Sequence, residues 1–381
     1  MNRFTIQLEE IKAAYAAEPN PTLEVRLERI GRIEKMIKAN EEKICKALTA
    51  DFGVRNPSET RLAEFGMVSQ ACRFVRKNLK DWMRPVQMET PSYLSSSEAW
   101  IENQSIGVVG IISAWNYPVQ LALLPAISAL AAGNRVWLKP SERSSRTSGF
   151  LASLIQEYFH PTEFSVSTGG VEVAEQFAAL PFAHLLFTGS EATGKKVMRA
   201  ASENLTPVTL ELGGKTPAII DSTANLKEAA QAIAYGKLLN NGQTCIAPDY
   251  VLLEANQQDA FIYGLQIAAQ AQFGNPDELT GPIDERQLQY WQNLLSDAIN
   301  RGANPIPLLQ KSGEDQQRFE PVALINTPAE ARVLHEEIFG PVLPIVAVEN
   351  SAAAIAYVNQ KPRSEEHTSE LQSLAYLVCR L

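Results

Sequence analysis

Hydrophobic positions recur at helical spacing in the N-terminal part of the chain. Within residues 22–84, "LEVRLERIGRIEKMIKANEEKICKAL" combines many charges with a largely apolar stripe. The stripe consists of Leu23, Val25, Leu27, Ile30, Ile33, Met36 and Ile37. Such a stripe predicts helices that pack one face against a larger body. The pattern is too short to favour a coiled coil.

Further along, short apolar runs alternate with segments of helical periodicity. "SEAWIENQSIGVVGIISAWN" predicts an extended ribbon that leads into a buried strand. A buried helix at "YPVQLALLPAISALAAG" follows, then strands at "RVWLKP", "FSVSTG", "HLLFTGS" and "PVTLELGG" alternate with helices at "SSRTSGFLASLIQEYF", "EVAEQFAAL" and "EATGKKVMRAAS". A second series runs through "TPAIID", "NLKEAAQAIAYGKLL", "YVLLE" and "QDAFIYGLQIAAQAQ". The order predicts two α/β domains, the first with a parallel sheet covered by helices.

Length, composition and charge narrow the classes of protein. A chain of 381 residues exceeds a single hydrophobic core, so two or more domains are expected. The net charge of −9 disfavours a nucleic-acid binder, which normally carries a basic face. Gln120, Pro125 and Gly133 interrupt the longest apolar stretch, and the first residues carry charges, so neither a membrane span nor a signal peptide is expected.

The cysteines and histidines show no metal-like spacing. Cys45, Cys72, Cys245 and Cys379 are neither paired nor clustered, and the histidines are scattered. We therefore expect a reduced protein of the cytoplasm without a metal site.

Cys245 is the first candidate for chemistry. Most cysteines without a disulfide behave as small core hydrophobes. In "LLNNGQTCIAPDY", however, small polar neighbours predict a loop, and loops held by a scaffold often carry catalytic groups. Because a free thiol has a pKa of about 8.5, a nucleophilic role requires surroundings that favour the thiolate.

Glu211 and Asn116 are candidates of a different kind. Glu211 ends an apolar strand in "LELGGK", where a carboxylate either pairs with a cation or acquires a raised pKa and acts as a base. In "SAWNYP", Pro118 suits the first turn of a helix, so Asn116 would stand just before it, facing solvent or a cleft. Its amide could stabilise an oxyanion, or it could be a helix cap.

Two further motifs are typical of cofactor binding. In "WLKPSE", Lys139 ends a predicted strand, where ligands bind in open sheets, and with Glu142 it could hold ribose hydroxyls or form an exposed charge pair. In "FTGSEATG", Gly189 and Ser190 join a strand to a helix whose N-terminus could meet phosphate, or they form a tight turn. The segment is neither the usual dinucleotide glycine motif nor a triphosphate loop.

Together these motifs resemble the aldehyde dehydrogenase superfamily. "SAWNYP", "LKPSE", "FTGS", "LELGGKTPAII", "NNGQTCIAP" and "EEIFGPV" follow its order and spacing, up to about Arg363. "ENLTPVTLELGGK" and "GKLLNNGQTCIAPDYVL" are most similar to bacterial coniferyl aldehyde dehydrogenases and related fatty- and aromatic-aldehyde enzymes. The resemblance implies an α/β fold with a variant Rossmann cofactor domain, an α/β catalytic domain and a small oligomerisation ribbon.

The resemblance also implies the catalytic roles. Cys245 would add to the aldehyde to give a thiohemiacetal, whose oxyanion the Asn116 side chain and the Cys245 amide stabilise. Hydride transfer would leave a thioester, which water activated by Glu211 hydrolyses to a carboxylic acid.

For the cofactor, the resemblance implies three contacts. Lys139 and Glu142 would hold the adenosine ribose, Gly189 and Ser190 the pyrophosphate, and Glu337 and Phe339 the nicotinamide ribose and ring. Since Glu142 would repel a 2′-phosphate, NAD is favoured, with NADP as the alternative.

The same comparison predicts the domain limits. They are N-terminal helices in 1–85, an oligomerisation ribbon in 86–106, a cofactor domain in 107–212, an incomplete catalytic domain in 213–363 and a foreign tail in 364–381. The tail is expected because "RSEEHTSELQS" looks like translated adapter DNA. A homodimer is expected for the full-length protein.

Two other functions stay open at this point. The chain could be a dinucleotide-binding protein without turnover, which would bind the cofactor and form no NADH. It could also be a CoA-acylating enzyme on the same fold, although Glu211 favours hydrolysis.

Overall fold

The computed structural model describes residues 3–94, 96–275, 278–309 and 319–362. The chain divides into two compact units. The first comprises the chain up to Ala47 together with Thr60–Glu211, and the second comprises Leu48–Glu59 and the chain from Leu212 onward. The tail expected from about residue 364 lies outside the described residues.

The N-terminal region is helical, as its periodicity predicts. Its helices are α1 (Arg3–Ala17), α2 (Leu23–Phe52), α3 (Pro57–Thr60), a π-helix (Arg61–Gly66) and α4 (Met67–Trp82). The later part of the α2 stripe, including Ile30, Ile33 and Met36, is fully buried. In the first unit, Arg29 and Arg32 of α2 form ion pairs with Glu163 at 3.2 and 2.8 Å.

An antiparallel ribbon follows the helices. It pairs β1 (Val86–Met88) with β2 (Ala99–Ile101) and aligns Val86 with Ile101. This confirms the extended segment predicted before the buried strand. Val86, Trp100 and Ile101 are exposed, so the ribbon presents apolar side chains to its surroundings.

The first unit is built on a sheet with the strand order β5-β4-β3-β6-β7. Its elements are β3 (Val108–Ile112), α5 (Gln120–Ala131), β4 (Arg135–Lys139), α6 (Ser145–Tyr158), β5 (Phe164–Val166), α7 (Val171–Ala178), β6 (His184–Gly189), α8 (Glu191–Ser202) and β7 (Val208–Leu212). Strand β3 pairs in parallel with both β4 and β6. The chain order therefore reverses at β3, and the carboxyl ends of these three strands form the edge where α/β sheets bind ligands.

The second unit has the strand order β10-β11-β12-β9-β8. Its elements are β8 (Pro217–Ile219), α9 (Leu226–Leu238), β9 (Tyr250–Glu254), α10 (Gln258–Phe273), α11 (Glu285–Asn300), β10 (Asn304–Pro307), β11 (Val322–Ile325), β12 (Val342–Val348) and α12 (Ser351–Asn359). Its described pairs are parallel except β10 with β11. Helices α9 and α10 share one apolar core with strands β9, β11 and β12. The predicted α/β class is confirmed.

Within the described ranges, no helix is both long and apolar enough to span a bilayer.

Candidate active site

Cys245 stands in a loop whose backbone is unusual. Helix α9 ends at Leu238, and a short 3-10 turn follows over Leu239–Gly242. Asn240, Asn241 and Gly242 have φ values of 52°, 53° and 74°. Asparagine and glycine tolerate this left-handed region best, which explains the "NNG" sequence. The predicted loop around the cysteine is confirmed.

Buried polar side chains hold this loop in place. Asn240 Nδ2 donates to the Gln243 carbonyl at 3.0 Å, and Gln243 Nε2 donates back to the Asn240 carbonyl at 2.9 Å. Gln243 also donates to the Gly281 carbonyl and accepts from the Ile283 amide. Thr216 Oγ1 donates to the Cys245 carbonyl at 3.2 Å. The loop is thus a rigid support rather than a mobile surface segment, because its polar groups are paired inside the protein.

Glu337 lies against the glycine pair that follows β7. Its Oε1 accepts a hydrogen bond from the Gly214 amide at 3.1 Å. A Cβ at position 213 would overlap the Glu337 carboxylate, so only glycine fits there without displacing it. The backbone around Glu337 is also anchored, since Tyr290 donates to its carbonyl at 2.8 Å and Asp249 accepts from the Ile338 amide at 3.0 Å.

Phe339 occupies a strained backbone position in the same segment. Its φ is 46°, which is costly for a residue with a side chain. Its carbonyl accepts from Trp291 Nε1 at 3.0 Å and from Gln287 Nε2 at 3.3 Å. A Cβ on Gly340 would meet the Trp291 indole, and a Cβ on Gly242 would meet the Gly340 carbonyl. The cysteine loop and the "EIFG" segment therefore touch backbone to backbone.

A buried group of charges lies beside these loops. Lys215 forms an ion pair with Asp249, and its Nζ also donates to the Val333 carbonyl at 2.7 Å. Lys237 is almost fully buried. Burial lowers the pKa of Lys237 to about 8, although the Asp249 and Glu337 carboxylates act in the opposite direction. Asp249 links Lys215 to the segment that carries Glu337, because its other carboxylate oxygen accepts from the Ile338 amide.

In the first unit, Asn116 lies between β3 and α5. The Leu121 amide donates to the Tyr117 carbonyl at 2.9 Å, so Pro118 falls in the first hydrogen-bonded turn, as the sequence predicts. Asn116 itself is buried, with 3% of its surface exposed, and this excludes open solvent, one of the two surroundings expected from the sequence. The neighbouring Trp115 ring is covered by the Arg143 guanidinium at 4.4 Å. Asn116 therefore lies in a packed segment and not on an open surface.

Lys139 and Glu142 form an ion pair at the end of β4. The Nζ–Oε2 distance is 2.6 Å, with Lys139 buried and Glu142 exposed. Partial burial acts to raise the pKa of Glu142, but the hydrogen bond and charge of Lys139 lower it overall. The carboxylate is thus kept ionised at the ligand-binding edge of the sheet.

Gly189 and Ser190 connect β6 to α8. The Ser190 hydroxyl caps the helix by accepting from the Thr193 amide at 3.4 Å. A Cβ on Gly189 would lie 2.5 Å from the Phe187 ring, so the backbone comes close to that ring only because the residue is glycine. A helix N-terminus preceded by glycine fits an anionic group such as a pyrophosphate.

Glu211 lies near the end of β7. The residue is exposed, yet the protein atoms around its carboxylate bury it enough to raise its pKa. Of the two outcomes that the sequence left open, the structure favours a raised pKa.

Comparison with known proteins explains this set of motifs. The sequence profile of the Aldehyde dehydrogenase family matches residues 8–365. The chain belongs to the aldehyde dehydrogenase family. Its cofactor is accordingly a nicotinamide dinucleotide, and its reaction is the oxidation of an aldehyde.

Three aldehyde dehydrogenases illustrate the similarity. Coniferyl aldehyde dehydrogenase of Pseudomonas sp. is 40% identical over 364 residues, which cover 93% of this chain and 75% of that protein. A substrate-bound structure of AldH from Staphylococcus aureus matches with a TM-score of 0.90 at 34% identity, over 96% of this chain and 79% of that one. A cysteine-to-alanine variant of AldC from Pseudomonas syringae, bound to NAD+ and octanal, matches with a TM-score of 0.80 at 27% identity, over 93% and 74%. The aldehyde dehydrogenase fold expected from the motifs is confirmed.

The structure groups the candidate residues of this aldehyde dehydrogenase by unit. Cys245, Glu337 and Phe339 belong to the second unit, where their loops are in contact. Asn116, Glu211 and the residues around Lys139 and Ser190 belong to the first. In the described part of the chain, no group of three or more His, Cys, Asp or Glu side chains could hold a metal ion.

Sequence reasoning missed the buried charges beside the candidate site of this aldehyde dehydrogenase. Lys237 could have been found, because it continues the buried stripe of Ala230, Ile233 and Ala234 along α9. A lysine on an apolar helix face requires a partner in the interior. No local signal identifies Asp249 as that partner.

Proposed function

We propose that this aldehyde dehydrogenase oxidises an aromatic or a medium-to-long aliphatic aldehyde to its carboxylic acid, with Cys245 as the nucleophile. The single observation that supports this best is the rigid loop around Cys245. Two left-handed asparagines and a buried glutamine, Gln243, hold a half-exposed thiol that belongs to no disulfide. A core cysteine would need no such support.

The chemistry begins with addition to the carbonyl. An aldehyde cannot release hydride readily until a nucleophile has added, because only the tetrahedral oxyanion supplies the electron pair that expels it. The Cys245 sulfur forms a bond to the carbonyl carbon, and the oxygen takes up the negative charge. The Asn116 side chain and the Cys245 amide are the proposed donors to that oxygen.

The second half of the reaction regenerates the thiolate. The bound nicotinamide dinucleotide supplies the hydride acceptor, so the Cys245 adduct becomes a thioester. Glu211 then takes a proton from water, the water oxygen attacks the thioester carbon, and the carbon–sulfur bond breaks. The raised pKa of Glu211 supports this role, since a base is most effective when its pKa approaches the working pH.

The residues of the first unit fit the adenosine half of the cofactor. Lys139 and Glu142 would bind the ribose hydroxyls, and Gly189 and Ser190 would meet the pyrophosphate. Because Glu142 is held ionised by Lys139, it disfavours a 2′-phosphate. NAD is therefore proposed as the preferred cofactor over NADP. In the second unit, Glu337 and Phe339 would position the nicotinamide ribose and ring.

The relatives guide the choice of substrate. Coniferyl aldehyde dehydrogenase is named for an aromatic aldehyde, and AldC was solved with octanal. We therefore expect activity on coniferaldehyde above activity on short aliphatic aldehydes.

A single assay tests the proposal. NADH formation is followed with coniferaldehyde, benzaldehyde and hexanal, each with NAD or NADP. Cys245→Ala should abolish it, whereas the matched control Cys45→Ala should not. Glu211→Gln should keep the first burst of NADH and stall release of the thioester. Product formation that requires CoA would identify the acylating alternative, and full activity of Cys245→Ala would exclude the proposed nucleophile.

A homodimer is the proposed assembly of the protein. The exposed apolar side chains of the ribbon, such as Val86 and Trp100, favour burial against another subunit. Light scattering on Trp100→Glu should report a smaller particle than wild type. A cytoplasmic location stays a prediction from the cysteine pattern.

A further inference from the structure

Glu64 is a buried carboxylate of the first unit that the proposed mechanism does not use. None of its surface is exposed. It lies on the π-helix Arg61–Gly66, a rare form that is frequent at functional sites. Removing a carboxylate from water is unfavourable unless its surroundings compensate, so the groups that compensate Glu64 are informative.

Glu64 contacts the first turn of α5. Its Oε2 accepts from the Val119 amide at 3.2 Å and from the Gln120 amide at 2.6 Å. The first amides of a helix have no partners within the helix. Pro118 has no amide hydrogen, and the Val119 side chain at the N-cap makes no capping bond. Glu64, which is distant in sequence, thus supplies the acceptor that a serine or aspartate at the N-cap normally supplies. Its negative charge also interacts favourably with the positive end of the helix dipole.

This contact fixes one end of the loop that carries Asn116. The other end is fixed by the sheet, where the Ser113 amide donates to the Lys139 carbonyl at 3.2 Å. Asn116 lies three residues before the first amide that Glu64 holds. An oxyanion donor works only when its position is set before the reaction, because the hydrogen bond must fit the charge as it forms.

We propose that Glu64 is a positioning residue for Asn116, and that its carboxylate holds the start of α5 so that the asparagine amide is pre-set for the oxyanion. The inference rests on the proposed function of Asn116. Glu64 itself touches neither substrate nor cofactor in this role.

A double-mutant cycle tests the inference. Glu64→Ala should slow the NADH burst about 10-fold, less than the 100-fold or more typical of removing an oxyanion donor outright. In the Asn116→Ala background, Glu64→Ala should have no further effect, because the group that it positions is gone. Glu64→Gln should stay near wild type, since its amide oxygen still accepts from both backbone groups. NAD affinity should not change.

A general loss of stability by itself should not slow the NADH burst, and a variant far from α5 serves as the control. Asn350→Ala removes the cap of α12, where the side chain accepts from the Ala353 amide at 2.9 Å, and should leave the burst rate unchanged. If Glu64→Ala does not fold, Glu64→Asp takes its place in the cycle, because shortening the side chain by one methylene stretches both bonds. Equal slowing in both backgrounds, or no slowing at all, would overturn the inference.

Amide exchange separates this inference from the proposed function. Exchange of the backbone amides of Tyr117 and of residues 119–121 should be faster in Glu64→Ala than in wild type or Glu64→Gln, whether or not the protein oxidises an aldehyde. Faster exchange in Glu64→Ala, together with a wild-type protein that shows no activity, would refute the proposed function and keep the contact. Unchanged exchange in Glu64→Ala, together with an active wild-type enzyme, would refute the positioning role of Glu64 and leave the proposed function standing.

Discussion

Replacing Gly213 with alanine should weaken cofactor binding without unfolding the protein. Gly213 does not have a positive φ, so its backbone accepts a side chain. The obstacle is steric, because the new Cβ would occupy the space of the Glu337 carboxylate. The carboxylate is the end of a flexible side chain, so it can swing away. It would then lose its hydrogen bond from the Gly214 amide.

The size of the effect follows from that bond. A hydrogen bond to a charged group contributes roughly 1.5–3 kcal/mol. Glu337 is half-buried, so the lower end applies, and about 1.4 kcal/mol corresponds to a tenfold change in an equilibrium constant. We therefore expect the dissociation constant for NAD to rise about tenfold. The melting temperature should change little, because few packed atoms move.

Isothermal titration calorimetry of NAD into the protein measures this dissociation constant directly. Gly149→Ala is the matched control, since a Cβ there meets nothing within 4 Å. In a Glu337→Ala background, Gly213→Ala should have no effect on NAD affinity, because the carboxylate that it displaces is absent. Wild-type affinity in Gly213→Ala, or the same loss in both backgrounds, would refute the reasoning.

Three further predictions concern pH and the cofactor segment. Burial opposes ionisation of Glu163, but the two arginines of α2 hold its pKa at about 2, below the unfolded 4.5. The ionised carboxylate therefore stabilises the folded protein by roughly 2 kcal/mol after solvent screening, a contribution that is present above pH 4.5 and lost as the pH falls toward 2. Urea unfolding at pH 7, 4.5 and 3 should show this loss in wild type and a smaller one in Glu163→Gln. Trp291→Phe removes a hydrogen-bond donor to the Phe339 carbonyl, so it should lower the free energy of unfolding by about 1 kcal/mol and weaken NAD binding. Unchanged NAD binding would mean that the Gln287 donor alone holds this carbonyl in place. Because burial raises the pKa of Glu211 and a base must be deprotonated, the turnover rate should fall on acidification at a higher pH than an ordinary carboxyl would give. Glu211→Gln should lack this acidic limb of the pH–rate profile and keep its NADH burst.

The sequence predicted the elements because their patterns are local. The apolar run "RVWLK" forms β4, and the mixed segment after it forms α6. Strand ends could be located in the same way, which placed Lys139 at a ligand-binding edge. The cysteine loop was recognisable for a related reason, since "NNG" suits left-handed backbone and breaks the helix before it.

Long-range partners could not be predicted in this way. Glu64 meets Gln120 across 56 positions, and Asp249 meets Ile338 across 89. No periodicity connects residues so far apart, because folding brings them together through the sheet. The sequence could not decide between solvent and a cleft for Asn116 for a similar reason, since the residues that cover "SAWNYP" are not local to it.

The meeting of Gly242 with the Gly340 carbonyl restricts how this enzyme can change. A side chain on Gly242 would require the Gly340 backbone to move, and one on Gly340 would require the Trp291 indole to move, so the two segments should be exchanged as a pair in any chimera with another aldehyde dehydrogenase. Grafting a foreign cysteine loop alone would disturb the segment proposed to position the nicotinamide, and a designer who alters the "EIFG" segment would also shift the proposed nucleophile.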